Sequence, residues 1–373
     1  MKKPALALAL AIFAVSSVPA AGPGLAPVPA REKPGFDRIR ESELRADLGF
    51  VASDALQGRM SLQPGDDAAV QWIAAEFAKA GLAPAATDAA GAGATPQALQ
   101  AAIDKDLVPQ SRDLPGGNAT LHLENSVGTR GLSWNVVGLL QGSDSRLAPE
   151  TVIISAHHDH DGMNGAEIWH GADDNGSGTV GVVQLARAFM ANPIRPKRSI
   201  LFVVFAAEER GLLGSYYLAA HPLRPLATTR AMINFDMIGR NETVSDQTTG
   251  LIDVPADTTN RLNLIGAGYS PDFDRTVRAA NASVGLVLDD RFDHENALNV
   301  FFRSDQFPFV LHDVPAFWFF TGFHPDYHHT TDTADKINYA KMTKILRLAY
   351  LTAWRFADDA AVPAFVKDPP GAE

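Results

Sequence analysis

The 373-residue sequence predicts an α/β fold, a mostly parallel central sheet with helices on both faces, from three features. From Asn135 onward, short apolar runs alternate with helical stretches, the pattern of strands joined by crossover helices. The runs are apolar throughout, so both faces of each strand are covered, as in a parallel sheet. With 46% hydrophobic and 20% charged residues, the chain has enough apolar side chain to fill such a core.

Taken in order, Lys2 and Lys3 precede ALALALAIFAV, which gives way to the small residues of SVPAAG. A charged start, a short hydrophobic middle and a small-residue end predict a cleavable secretory signal over residues 1–21. The apolar stretch is too short to span a bilayer. The expected location is periplasmic or secreted, with no membrane attachment after cleavage. Residues 22–41, rich in Pro, Gly and Ala, read as a flexible leader, and a single folded unit is expected over 42–360. Residues 42–56 have helical apolar spacing, and 66–82 form a strongly amphipathic helix closed by Gly81. A loop-like insertion is expected near 83–130, and residues 361–373 read as a flexible tail. The chain has no cysteine, which excludes disulfides, thiolate ligands and a cysteine nucleophile. Its 32 basic and 43 acidic residues give a net charge of −11, which excludes nucleic acid as a natural partner.

The candidate strands are NVVGLLQG, TVIISAH, SILFVVFAA, AMINFDMIG and VPAFWFF, with helices over 178–190, 212–220 and 340–357. Sites in such folds form beyond the carboxyl ends of strands. There the sequence puts His157, the adjacent pair Glu208 and Glu209, and Asp236. Asp173 and Asp174 precede a helix, and His328 and His329 lie in the loop YHHTTDT. Nitrogen and oxygen ligands without sulfur suit zinc, and manganese or cobalt as well. Alternation along SAHHDH lets His157 and Asp159 share a side, with Asp159 accepting the second imidazole N–H; His158 and His160 read as packing or surface residues. A buried carboxylate pair at a strand end requires a partner. Adjacent side chains diverge, so one glutamate can bind a metal ion while the other serves as base toward water. Three carboxylates and two imidazoles suffice for two divalent ions if one carboxylate bridges.

As a set and in this order, SAHHDHDG, GADDNGSG, FAAEERGLLGS, INFDMIGR and DYHHTTDTADKI resemble the M28 family of zinc exopeptidases, in particular its exported bacterial aminopeptidases. The resemblance implies the zinc-exopeptidase architecture and two zinc ions. His157 and Asp236 would bind one ion, Glu209 and His328 the other, and Asp173 would bridge both, with Glu208 as general base. His328 is preferred over His329 because the family places this ligand four residues before the aspartate of an Asp-Thr pair, here Asp332-Thr333. A cis peptide is expected after the bridging aspartate, between Asp173 and Asp174. Tyr327, next to His328, is a candidate donor to the oxyanion of the tetrahedral intermediate. The implied substrates are peptides with a free N-terminus. A carboxypeptidase, a glutaminyl cyclase or a catalytically silent binding protein on the same scaffold are the alternatives. Gln306 in RSDQFPF stands where many relatives have histidine, and the segment before Asn135 is too short for the inserted domain many of them carry. GSGTVG matches a dinucleotide fingerprint in form only, because a polar loop and not a strand precedes it.

Overall fold

Consecutive residues of the central strands pack to opposite faces, and each face is covered by helices. The computed structural model describes residues 24–85, 133–294 and 297–367. The expected signal, residues 1–21, and most of the expected insertion near 83–130 lie outside them. Ten strands are described: β1 (Ala83–Pro84), β2 (Val136–Leu140), β3 (Thr151–His157), β4 (Gly162–Asn164), β5 (Glu167–Trp169), β6 (Ser199–Phe205), β7 (Thr229–Phe235), β8 (Arg261–Ile265), β9 (Val287–Asp289) and β10 (Ala316–Phe320). Eight form one sheet in the order β1-β2-β6-β3-β7-β10-β8-β9, while β4 and β5 make a separate hairpin. The middle four, β6-β3-β7-β10, are mutually parallel; β2 and β8 run antiparallel to their inner neighbours.

The helices are α1 (Lys33–Arg38), α2 (Glu41–Val51), α3 (Pro64–Ala80), α4 (Gly178–Ala191), α5 (Leu213–Ala220), α6 (Pro271–Asn281), α7 (Phe307–Val310) and α8 (Tyr339–Asp358). Val152, Ile154, Ile200, Phe202, Val204, Ile233 and Phe319 point to one face, where they join Val183, Phe189, Leu346 and Tyr350 of α4 and α8. Ile153, Leu201, Val203, Phe205 and Met232 point to the other, against Leu218 of α5 and Phe309 of α7. This period of two, apolar on both faces, explains why the strands read as unbroken hydrophobic runs.

Two boundaries differ from expectation. The segment read as a leader is tied to the fold from Ala26 on: Ala26 N–H donates to Ala282 O at 2.8 Å, Arg31 pairs with Asp358 at 2.6 Å, and α1 lies on α4 and α8. Gly35 makes this contact possible, since a Cβ there would collide with the Tyr350 ring and the Ala188 carbonyl. At the other end, Phe365 stacks on Tyr269 at 5.7 Å and Val366 N–H donates to Tyr269 O at 2.8 Å, so the expected tail begins as packed chain. The strands β8 and β9 and helix α6 were not foreseen. RLNLI is brief and bounded by polar loops, yet α6 carried a legible start, Ser270 capping Phe273 N–H with Pro271 following. Among the described residues no helix is long and apolar enough to cross a membrane.

Candidate metal centre

Parallel register brings the strand ends level. His157 pairs with Phe205, Ser155 with Asn234, and Phe235 with Phe319, so the residues just beyond β6, β3 and β7 emerge side by side. His157 ends the middle strand, with Glu208 beyond one neighbour and Asp236 beyond the other. Four non-glycine residues with positive φ adjoin or form the site: Ala207 at 54°, Leu212 at 60°, Met237 at 56° and His328 at 55°. Such conformations are costly and persist where surrounding packing imposes them, which is common at functional sites.

The buried His157 directs Nε2 toward three carboxylates, Asp174 Oδ1 and Asp236 Oδ1 at 3.6 Å each and Glu208 Oε2 at 3.8 Å, with no hydrogen-bond partner for that nitrogen. Its Nδ1 lies 3.2 Å from the Asp159 carbonyl and 3.6 Å from the Asp159 carboxylate. That carboxylate also accepts from the amides of Glu208 at 3.0 Å and Glu209 at 3.3 Å. Asp159 thus ties the imidazole to the turn that carries both glutamates. Asp236 is held by Ser304 Oγ at 2.6 Å, which accepts from Asn234 at 2.9 Å; Ser155 in turn donates to Asn234 at 2.7 Å.

Glu209 faces a second group. His328 Nε2 is 3.5 Å from Glu209 Oε2 and 3.1 Å from Asp174 Oδ2, again without a hydrogen-bond partner, while its Nδ1 is held by Asp161 at 2.8 Å. The two glutamates therefore stand in different clusters: Glu208 with His157 and Asp236, and Glu209 both with His160 and Asp174 and with Asp161 and His328; in each of these three sets the ligand atoms are close enough to share a metal ion.

Asp174, and not Asp173, spans these clusters, one oxygen toward each of the two Nε2 atoms that lack a hydrogen-bond partner. This corrects the expectation for Asp173, whose carboxylate accepts from Gly239 N–H at 2.6 Å and faces His324 at 3.3 Å. Likewise the cis peptide is Asp174-Asn175, one residue later than expected. The Asn175 side chain fixes this register by accepting from Gly178 N–H at the start of α4, at 2.9 Å, and donating to Phe235 O, at 2.9 Å. Asp332 completes it, its carboxylate accepting from the amides of Asp173 and Asp174 at 2.8 and 3.2 Å.

His160 and Asp161 also belong to the site. Alternation ends with β3 at His157, so it does not govern residues 158–160. The buried His160 lies 2.9 Å from Glu209 Oε1 and edge-on to the His328 ring, in space that Gly171 leaves open for lack of a side chain. His158 is a packing residue, set between Asp66 at 2.9 Å and Trp134 O at 2.9 Å. Gln306 is fully buried and donates to Phe301 O at 2.8 Å, so it lies outside the pocket. That pocket, roughly 300 Å³, is lined by the carboxylates Asp174, Glu208, Glu209 and Asp236, by Leu212, Met237, Trp318 and Phe323, and by Tyr327 and Arg303.

The electrostatics call for cations. Burial and the nearby carboxylates Glu209, Asp236 and Asp305 raise Glu208 well above the usual carboxylate range, against the pull of His157. Glu209 is raised by burial and by Asp174. Burial works against charging His328, but Asp161 and Asp174 push it up to about 12. Converging acids and two buried imidazole nitrogens without hydrogen-bond partners fit divalent metal, whose removal leaves like charges desolvated together.

Behind this site, the fully buried Arg59 donates to the carbonyls of Val51, His158, His170 and Gly171 at 2.7–2.8 Å. Arg59→Met would leave all four without this donor. The expected loss of stability is about 3 kcal/mol or more, read as a lower denaturant midpoint at unchanged slope.

The sequence model of peptidase family M28 matches residues 135–353, more than half of the chain. Leucine aminopeptidase 2 of Arthroderma otae is 27% identical over 247 residues, which cover 59% of this chain and 44% of that protein. The chain thus spans less than half of that relative's length. Among solved structures, BSAP, a zinc aminopeptidase from Bacillus subtilis, superposes with a TM-score of 0.55 at 18% identity, over 90% of this chain and 97% of that one. Porphyromonas gingivalis glutaminyl cyclase does so with a TM-score of 0.57 at 15% identity, over 84% and 97%. At these identities the likeness to the solved structures shows the fold alone.

Proposed function

Because the chain belongs to peptidase family M28, we propose that it is an exported dizinc aminopeptidase, removing N-terminal residues from peptides that carry a free amino group. The observation that carries this reading is the single carboxylate of Asp174 with one oxygen toward each of two histidine nitrogens, His157 Nε2 and His328 Nε2, that lack hydrogen-bond partners. His157 and Asp236 would hold one zinc ion, Glu209 and His328 the other, and Asp174 both. Bound there, zinc supplies Lewis acidity that polarises the scissile carbonyl and makes water more acidic. Export rests on the signal-like residues 1–21.

Glu208 accepts the proton of the attacking water and later delivers it to the leaving amine. Burial and the neighbouring carboxylates raise its proton affinity, which suits a group that takes up a proton and returns it. Asp159 keeps His157 and the Glu208–Glu209 turn in one arrangement. The Tyr327 hydroxyl is held neutral, raised well above its ordinary range by burial and by the carboxylates Asp174 and Glu209, and so remains a hydrogen-bond donor to the carbonyl oxygen as it gains charge. Tyr327→Phe should lower kcat by about 100-fold or more, the effect of losing one positioned donor. A wild-type kcat would remove the tyrosine from the reaction.

The assignment is tested with aminoacyl reporter amides, their N-acetylated counterparts and a peptide with N-terminal glutamine. Cleavage of the free-amine reporters alone is expected. Cyclisation of the glutamine peptide without reporter cleavage would favour the cyclase on this fold, and cleavage from the C-terminal end a carboxypeptidase.

A further inference from the structure

Arg303 is the only basic residue among the described residues that line the pocket, which four carboxylates also line. It is exposed, and among the described residues it forms no ion pair, although Asp174, Glu208, Glu209 and Asp236 share its cavity. Its guanidinium carbon instead stands 5.9 Å from the centroid of the Phe323 ring, an aromatic wall of the same pocket. Phe302, half exposed, precedes it in the chain and lines the same pocket. The chain anchors this position firmly: the next residue, Ser304, donates to Asp236 at 2.6 Å, and Gln306 ties the loop to Phe301 O at 2.8 Å.

An arginine fork over an aromatic face is partly oriented and offers paired donors that match a carboxylate. Once the carboxylates hold cations, a further positive charge in the pocket is best balanced by an anion that arrives with the substrate. Arg303 and the four carboxylates line one pocket of roughly 300 Å³, at the small end for ligand sites, so that anion lies near the bond being cleaved. We propose that Arg303 is a specificity-determining residue that binds a substrate carboxylate close to the scissile bond, so that the preferred substrates are short peptides ending there or peptides with an acidic residue there. The proposal rests on the aminopeptidase assignment and adds the substrate class to it.

The two sources of the carboxylate are separated by paired substrates for zinc-loaded enzyme: Leu-Gly against Leu-Gly-amide for the chain terminus, and Leu-Glu-amide against Leu-Gln-amide for a side chain. In at least one pair the acid should exceed the amide in kcat/KM by about 10- to 100-fold, as expected for a charge-assisted pair. Arg303→Met should bring that ratio to within about twofold of unity. The same ratios are read without turnover, as inhibition constants or calorimetric affinities for the zinc-loaded Glu208→Gln protein. If no free-amine substrate is cleaved, the aminopeptidase assignment fails and the binding ratios still decide the role of Arg303. Ratios near unity in both pairs for the parent protein, or a preference that survives Arg303→Met, would overturn the proposal.

Discussion

Glu208→Gln should yield a folded protein that takes up zinc like the parent and hydrolyses aminoacyl reporters about two to four orders of magnitude more slowly. The substitution keeps size and hydrogen-bonding capacity and removes the oxygen proposed to accept the proton. Glu208 stands 3.8 Å from His157 Nε2, beside Asp236, close enough to be mistaken for a ligand of the first position. Zinc content therefore decides between the roles. A base leaves stoichiometry intact, whereas a ligand lowers it. Glu209→Ala is the control, because it removes the carboxylate that faces His328 and His160 and should weaken zinc binding together with activity. A Glu208→Gln protein with wild-type turnover, or one whose only defect is lost metal, would exchange the two assignments.

The second large effect separates neighbouring aspartates. Asp174→Ala should weaken zinc binding at both positions, by more than the roughly 10- to 100-fold seen when only a residue behind a ligand is lost, and abolish hydrolysis. Asp173→Ala should keep saturable zinc but lower stability by about 1–3 kcal/mol, since it strips the buried Gly239 amide of its acceptor. Calorimetric zinc titration and chemical denaturation of the two variants read these effects independently. Loss of both ions in Asp173→Ala, with full uptake by Asp174→Ala, would restore the assignment made from sequence.

That off-by-one marks where the sequence stopped being informative. The strands were legible because their burial on both faces makes continuous runs of Val, Ile and Phe, and parallel pairing then puts His157, Glu208 and Asp236 on one edge without further information. Periodicity holds only inside regular elements. Between β5 and α4 the chain follows a cis peptide and the side-chain bonds of Asn175, and which of two adjacent aspartates faces inward depends on those contacts. The same limit hid His160, which lies beyond the end of β3, where alternation along the strand no longer assigns a face. Asp161 is found only through His328, a partner 167 positions away in sequence, at 2.8 Å. The segment from Ala26 reads as mobile because Pro, Gly and Ala suggest it, yet it is tied to the fold, and Gly35 serves close packing against Tyr350.

Asp174 is proposed to join two zinc positions that act together on a peptide bond next to a free amine. This role is tested most directly by removing metal with a chelator and restoring zinc stepwise while hydrolysis of a leucine reporter amide and bound zinc are followed in the same samples. Activity should vanish on chelation and return fully only as the second equivalent binds. Full activity in the metal-free protein, or a plateau of bound zinc and rate at one equivalent, would contradict it.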